Sequence, residues 1–290
     1  MDRRKTAELA GVLAAGVGAA SLVDGFLIEP FHVAVVELEV TLPELPRAFD
    51  GIRILQLSDL HFRRKPRLQA RLLALASAGT PDLVVITGDL IDRERDIDSC
   101  LAFLAGLHAR TRTPVVTVPG NWEHRVFSTK AEIAKWYARV RSEAGAAVLI
   151  NESMFFRRAD ELFWVVGTDD PYFGHADLDA SFKGVPDSAF ALVLTHAPEA
   201  FEELAERPAA RLVLAGHTHG GQVRLPFIGA LRVPSRYGTR FAHGLFKLGD
   251  TVFYVNAGIG TSHLPVRFLC RPELTFITVK SRSPDELSPQ

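Results

Sequence analysis

Short apolar runs recur along this chain, separated by stretches of helical spacing, and several of them end in polar or charged residues rather than in an ordinary turn. Ile52-Arg53-Ile54-Leu55-Gln56-Leu57 leads into Ser58-Asp59-Leu60-His61, and Asp82 to Thr87 leads into Gly88-Asp89. Pro114 to Val118 leads into Pro119-Gly120-Asn121-Trp122-Glu123-His124, Phe190 to Thr195 into His196, and Leu212 to Gly216 into His217-Thr218-His219. Brief, nearly continuous apolar runs of this kind predict strands buried on both faces. Between them, apolar residues at helical spacing predict helices over Leu68 to Ala78, Ile97 to Leu107 and Thr129 to Glu143, and Pro198 opens another. His32 to Leu42 alternates in part and predicts a half-exposed strand stopped by Pro43; short strands are expected at Ala147 to Ile150, Met154 to Arg157 and Leu162 to Val166. Strands alternating with helices, with polar residues at the strand ends, define an α/β protein that builds a site along one sheet edge.

The residue types at those ends narrow the chemistry. Asp59 and His61, two apart in an extended chain, are expected to face the same way and to grip one divalent ion. Gly88 allows a tight turn that frees Asp89 to bridge two ions, and His217 and His219 can reach different ions from either side of Thr218. Each residue alone has an ordinary reading: a capping aspartate, a left-handed asparagine, a hydrogen-bonded loop histidine. Taken together, Asp59, His61, Asp89, Asn121, His196, His217 and His219 offer carboxylates, imidazoles and one amide, a donor set suited to a pair of borderline divalent ions. Gly167-Thr168-Asp169-Asp170-Pro171 is read as a capped turn, with a further ligand site as the alternative.

The amino terminus is of another kind. Arg3, Arg4 and Lys5 precede an apolar run from Leu9 to Val23 without a polar face, so residues 1–30 read as an uncleaved membrane anchor, with a twin-arginine export signal as the alternative. Residues 31–280 are expected to form one domain and residues 281–290 a disordered tail. With 290 residues, 47% of them hydrophobic, the chain can bury a large core; 33 basic against 34 acidic side chains give a net charge of -1 and no general field for nucleic acid, which is not an expected partner. Cys100 and Cys270 suggest buried thiols rather than a disulfide framework.

In this order, Asp59-Leu60-His61, Gly88-Asp89, Gly120-Asn121, His196 and Gly216-His217-Thr218-His219 resemble the five motifs of calcineurin-like metallophosphoesterases, a likeness running from about Ile52 to Leu274. Gly216 to Pro226, Gly258 to Ser262, Leu264 to Arg267, Arg271-Pro272-Glu273 and the anchor followed by Glu29-Pro30 resemble a membrane-associated bacterial branch of general phosphodiesterases and UDP-2,3-diacylglucosamine hydrolases of lipid A assembly. The resemblance implies a two-sheet sandwich flanked by helices in four αββα layers. It implies two divalent ions, manganese first with iron or zinc as alternatives: one held by Asp59, His61 and His219, the other by Asn121, His196 and His217, with Asp89 between them. It further implies a phosphoester substrate, lipid-linked in the sharper form, and a place at the bacterial inner membrane, on a side left open. The rivals are a non-catalytic metal-binding membrane protein and a nucleic-acid hydrolase.

One position departs from the pattern. The family places a proton-donating histidine after the asparagine, and this chain has Trp122. Either His124 takes that role as catalytic acid, or the leaving group departs unaided. Arg63-Arg64-Lys65-Pro66-Arg67 reads equally as an anion-binding cluster and as a solvated loop, and the apolar and basic residues from Leu225 to Ile228 and Leu264 to Leu269 suggest a rim that admits acyl chains or packs inside.

Overall fold

A computed structural model describes residues 15–16 and 18–281. The strands whose runs are apolar throughout use both of their faces. Ile52–Leu57 (β2, following β1 at Ala34–Thr41), Leu83–Ile86 (β3), Val115–Thr117 (β4) and Ala147–Val148 (β5) pair in parallel. Glu152–Arg158 (β6) pairs antiparallel with Glu161–Gly167 (β7), which runs parallel to Ala191–Leu194 (β8) and through it to Ala210–Ala215 (β9). Arg224–Leu225 (β10) and Gly229–Ala230 (β11) form a small hairpin; Gly244–Leu248 (β12), Thr251–Val255 (β13) and Glu273–Lys280 (β14) complete the strands. One six-stranded sheet is ordered β1-β14-β2-β3-β4-β5, the other β12-β13-β9-β8-β7-β6.

Alternation along β2 sorts its side chains into two cores. Ile52 and Ile54 pack between the sheets with Leu83, Val85, Phe163, Leu192 and Leu214. Leu55 and Leu57 face outward, against helices Pro66–Ala78 (α1), Ile97–Thr111 (α2) and Lys130–Ala144 (α4), through Leu72, Leu101, Leu104 and Trp136. Beyond the second sheet, Val193, Val213 and Phe253 pack on Phe201 and Leu204 of Phe201–Ala205 (α6). Two shorter helices, Glu123–Val126 (α3) and Leu178–Ser181 (α5), lie in connections. The result is the expected helix, sheet, sheet, helix layering, with each buried Leu or Ile contributing about 2 kcal/mol. The Thr129 to Glu143 helix starts as its sequence signals: Thr129 and Glu132 form a reciprocal capping box.

Three features differ from the expectations or go beyond them. The terminal strand β14 inserts between β1 and β2, parallel to the first and antiparallel to the second, so the last strand closes the sheet begun by the first. The hairpin of β12 and β13 has no counterpart among the predicted strands; β12 is a half-exposed edge strand with a weak pattern, while β13, buried between β12 and β9, is only five residues long. At the amino terminus, part of the Leu9 to Val23 run lies outside the described residues, as does the tail 282–290; among the described residues no helix is long and apolar enough to cross a membrane. Glu29 and Pro30 are buried, and the Glu29 carboxylate accepts the backbone N–H groups of Leu269 and Cys270.

Beneath β14, the buried Glu273 carboxylate accepts hydrogen bonds from Tyr254 (2.5 Å), Thr275 (2.7 Å) and Asn256 (3.1 Å) and lies 2.5 Å from His243 Nε2. Burial opposes its charge, but the His243 contact and these donors outweigh burial and hold its pKa below the usual value. A depressed carboxylate stabilises the fold above its unfolded pKa, and the contribution is lost as pH falls through the folded value. Urea midpoints are therefore expected to hold between pH 7 and 5 and to drop on further acidification, with a shallower acid-side slope in Glu273→Gln.

Candidate metal centre

The carboxyl ends of β2, β3 and β4 and those of β8 and β9 meet at one edge of the sandwich, and all seven predicted ligands are buried there. Asp59 (φ 48°), His61 (38°), Asp89 (52°), His217 (71°) and His219 (51°) all adopt the left-handed region. Asp59 and His61 thus converge through left-handed turns, and not through the extended alternation expected of them. Such residues cost roughly 1–3 kcal/mol each and persist where the surroundings hold them. Gly88 has φ 85° as its turn requires, and a Cβ on Gly120 would overlap the backbone and carboxylate of Asp89.

A buried relay aims Asp59. Gln56 donates to Thr87 Oγ1 (3.1 Å) and to the Ala215 carbonyl across the sheets (3.0 Å), Thr87 Oγ1 donates to Ser58 Oγ (2.7 Å), and Ser58 donates to Asp59 Oδ2 (2.6 Å). Asp59, His61, Asp89 and His219 present donor atoms within 4.8 Å of one another. His61 Nε2 lies 3.0 Å from His219 Nε2 and 3.4 Å from Asp89 Oδ2. On the other side of Asp89, His196 Nε2 lies 3.3 Å from the same Oδ2 and 3.0 Å from Asn121 Oδ1, which is 2.9 Å from His217 Nδ1. Asp89 therefore stands between two clusters.

Hydrogen bonds on the far sides of two rings decide which lone pairs face inward. His196 Nδ1–H donates to the Thr87 carbonyl (2.8 Å) and His217 Nε2–H to the Pro234 carbonyl (2.7 Å), leaving His196 Nε2 and His217 Nδ1 as acceptors only 3.2 Å apart, both against the Asn121 oxygen. Burial lowers the pKa of His61 to about 4 and that of His217 to about 3, and it drives His219 well below the usual value. Burial pushes Asp59 up to about 6; Asp89, equally buried, is held below the carboxylate range by His196, His61 and the Trp122 N–H. Burial also opposes charge on His196, but when no cation is bound Asp89 and Asp59 outweigh burial and raise its pKa, so a proton is drawn to the place a metal ion would occupy beside Asp89. Acceptor atoms aimed at one another at about 3 Å repel unless cations lie between them, so this donor set fits divalent metal ions.

The loops around the centre carry residues whose roles were not foreseen. Glu123 is buried and its carboxylate accepts the backbone N–H groups of Leu90, Ile91 and Gly120, tying the β3 and β4 loops together. Trp122 donates its backbone N–H to Asp89 Oδ1 (2.8 Å) and sets its indole edge-on to His61, 5.5 Å between centroids. His124 lies beside the centre with Nε2 2.8 Å from Asp169 Oδ1 and its ring 4.6 Å from that of His175. Burial opposes its protonation, but Asp169 and further acidic neighbours outweigh burial and raise its pKa. His124 is not among the residues lining the cavity of about 390 Å³ that opens over Asp89, Asn121, His217 and His219; the other walls include Trp122, Arg125, Tyr172, Arg232 and His263. Arg125 lies between the rings of Trp122 (5.2 Å) and Phe173 (5.3 Å), with its charge available to an anion in the cavity. The Asp170 carboxylate accepts the N–H groups of Tyr172 and Phe173, which caps its turn. Arg267, in a stretch read as either an apolar rim or inward packing, is fully buried and donates to the carbonyls of Ala257, Gly258, Gly260 and Cys270. Cys100 and Cys270 are buried free thiols.

This architecture is that of a two-sheet phosphoesterase with a buried acid and imidazole centre. The chain belongs to the calcineurin-like phosphoesterase family, whose model matches residues 52–221, and it is a metal-dependent hydrolase of phosphoric esters. It is 32% identical to YkuE of Bacillus subtilis, described as an uncharacterized metallophosphoesterase, over 97% of this chain and 98% of that one. It is 31% identical to the phosphodiesterase YaeI of Escherichia coli over 78% of this chain and 81% of that protein. Among solved structures, the NAD nucleotidase NadN of Haemophilus influenzae shares the fold, with a TM-score of 0.50 and 13% identity over 72% of this chain and 45% of that chain.

Proposed function

We propose that the chain hydrolyses a phosphodiester or pyrophosphate bond of a lipid-linked substrate at a membrane surface. Asp59, His61 and His219 would hold one divalent ion, Asn121, His196 and His217 a second, with Asp89 shared; manganese is the expected metal, with iron or zinc as alternatives. The observation that carries this reading is the pair of acceptor clusters joined at Asp89, 3.4 Å from His61 and 3.3 Å from His196, on the floor of a cavity walled by Arg125 and Arg232. Two such ions would lower the pKa of water and neutralise charge on the phosphoryl oxygens. Arg125 and Arg232 orient the phosphoryl group and offset its charge, and Tyr172, whose ring packs 4.4 Å from that of His217, covers one side of the cavity.

Support for a lipid-linked substrate comes from the surface beside the cavity. Phe227 and Ile228 at the tip of the β10–β11 hairpin, Leu231, Leu264 and Leu269 are exposed. Val223 bridges to Phe268, and the Gly25 carbonyl accepts the Arg267 N–H (2.9 Å), which joins the exposed Leu27 and Ile28 to this side. Next to them a groove is lined by Leu27, Phe31, Lys65, Arg67 and Arg71, with Lys65 4.7 Å from the Phe31 ring centroid. In the basic cluster Arg63 is taken up by Asp92 (2.6 Å), which leaves Arg64 and Arg67 exposed for anionic headgroups. An apolar surface with basic neighbours suits an anionic lipid bilayer.

The test is phosphorus NMR with manganese and UDP-2,3-diacylglucosamine in phosphatidylglycerol vesicles. Appearance of UMP and the acylated sugar phosphate supports the reading. Cleavage of a soluble activated diester alone discards that substrate and keeps the reaction class. Replacing Phe227 and Ile228 together by Ser is expected to lower vesicle co-sedimentation about tenfold or more; unchanged sedimentation removes the hairpin from the membrane contact.

A further inference from the structure

Of the cavity-lining residues, His263 is the one imidazole outside the proposed ligand set. Its ring meets the indole of Trp122 edge-on, with centroids 5.6 Å apart, and that indole in turn abuts His61. An exposed loop residue would ordinarily be free to choose its backbone conformation, yet His263 is held at φ 57°, in the left-handed region. The holder is Gln222. Its Nε2 donates to the carbonyls of Ser262 and Leu264 (both 3.1 Å), and its Oε1 accepts the Ser262 N–H (2.8 Å), so one amide grips the backbone on both sides of His263. Gln222 is itself at φ 57° and donates its N–H to the His219 carbonyl (2.9 Å), which fastens the clamp to the loop that carries His217 and His219. Three side-chain hydrogen bonds thus fix the position of an exposed histidine at the mouth of the metal centre.

The other donors in the cavity are poorly suited to protonate a leaving oxygen. Guanidinium groups and aliphatic hydroxyls are in general far weaker acids than an imidazolium, and the Thr218 hydroxyl is committed to the Ala242 carbonyl (2.6 Å). Phenolic hydroxyls are in general far weaker acids than an imidazolium. His124 Nε2 is engaged by Asp169 (2.8 Å), and His124 is not among the residues that line the cavity.

We propose that His263 is the general acid of the hydrolysis and that Gln222 is its positioning residue, an inference that rests on the phosphoesterase reading of the site above. As water adds to phosphorus and gives up a proton to solvent, the bond from phosphorus to the leaving oxygen breaks with its electron pair on that oxygen. The imidazolium of His263 transfers its proton there, and the resulting imidazole is reprotonated from solvent, so the balance is one water consumed per ester cleaved. Trp122, in the place where the family motif carries a histidine, sets its indole against the edge of that imidazole.

The experiment measures kcat/KM with metal-loaded enzyme for aryl phosphodiesters whose leaving groups run from p-nitrophenol to phenol. The variants are His263→Asn, Gln222→Ala, His124→Asn and Asp89→Asn. Asn tolerates the left-handed backbone and cannot act as an acid. His263→Asn is expected to lose about 100-fold or more with phenol as leaving group and only a few-fold with p-nitrophenol, because general acid catalysis matters most for the more basic leaving oxygen. Gln222→Ala should show the same selective loss, smaller in size, at unchanged metal content and thermal stability. As a readout other than turnover, the ring nitrogen-15 resonances of His263 in zinc-loaded protein, identified by their disappearance in His263→Asn, should shift on adding inorganic phosphate. Equal losses on both leaving groups, no loss, no phosphate-dependent shift, or a selective loss belonging to His124→Asn would each overturn the proposal. A wild-type enzyme indistinguishable from Asp89→Asn on every diester would instead overturn the phosphoesterase reading itself.

Discussion

In Asp89→Asn, hydrolysis of any diester cleaved by the wild type is expected to fall by about a thousandfold or more, since two bound cations supply several kcal/mol of charge stabilisation in the transition state. The reason lies in the position of one oxygen. Asp89 Oδ2 faces His61 on one side and His196 on the other, so the substitution removes a negative donor from both clusters at once. The asparagine can retain the acceptor role toward the Trp122 N–H, now 2.8 Å from Asp89 Oδ1, which keeps the loop in place. Metal analysis should show fewer than two ions per chain, while the circular dichroism spectrum is preserved. Full turnover with full metal content in this variant would remove Asp89 from the shared position.

Arg267→Met is expected to cost about 3 kcal/mol or more, read as a lowered urea midpoint in protein saturated with metal. The guanidinium is wholly buried, and its donors are shared among carbonyls of a loop that passes beneath the centre. Removing it leaves those carbonyls without partners, and each buried unpaired group costs about 1–3 kcal/mol. Lysine restores the charge without the fork that reaches several carbonyls, so Arg267→Lys should recover only part of the loss. Because the same guanidinium reaches to 3.5 Å from His219 Nδ1, metal affinity should fall along with stability. A loss below about 0.5 kcal/mol would mean that water takes over the role of the guanidinium.

These two residues illustrate what a linear reading reaches. Asp89 was legible because it follows a run, Leu83 to Ile86, whose every residue is buried; a strand that apolar can end abruptly in a carboxylate only at a sheet edge. Arg267 was not, because a basic residue in an apolar loop fits a rim as well as buried packing until the carbonyls that surround it are known, and those come from residues up to ten positions away. The relation between Asp59 and His61 was inferred from strand alternation and is achieved by left-handed turns, since the strand stops at Leu57. His124 stood out as the next histidine after Trp122, yet the helical turn at Glu123–Val126 carries it to Asp169. His263 had no comparable local signal.

Periodic burial is a property that each segment carries in its own residues, and so the α/β class, the alternation of strands with helices, and the ligand-bearing strand ends were already determined by the chain's pattern. Closure of the first sheet by β14, burial of Arg267, the opposing acceptor atoms around Asp89 and the clamp that sets His263 against Trp122 were decided by tertiary packing. Apart from the carbonyls around Arg267, which lie within ten positions of it, each joins segments far apart in sequence, and all depend on loop conformations and pairings that no local periodicity encodes.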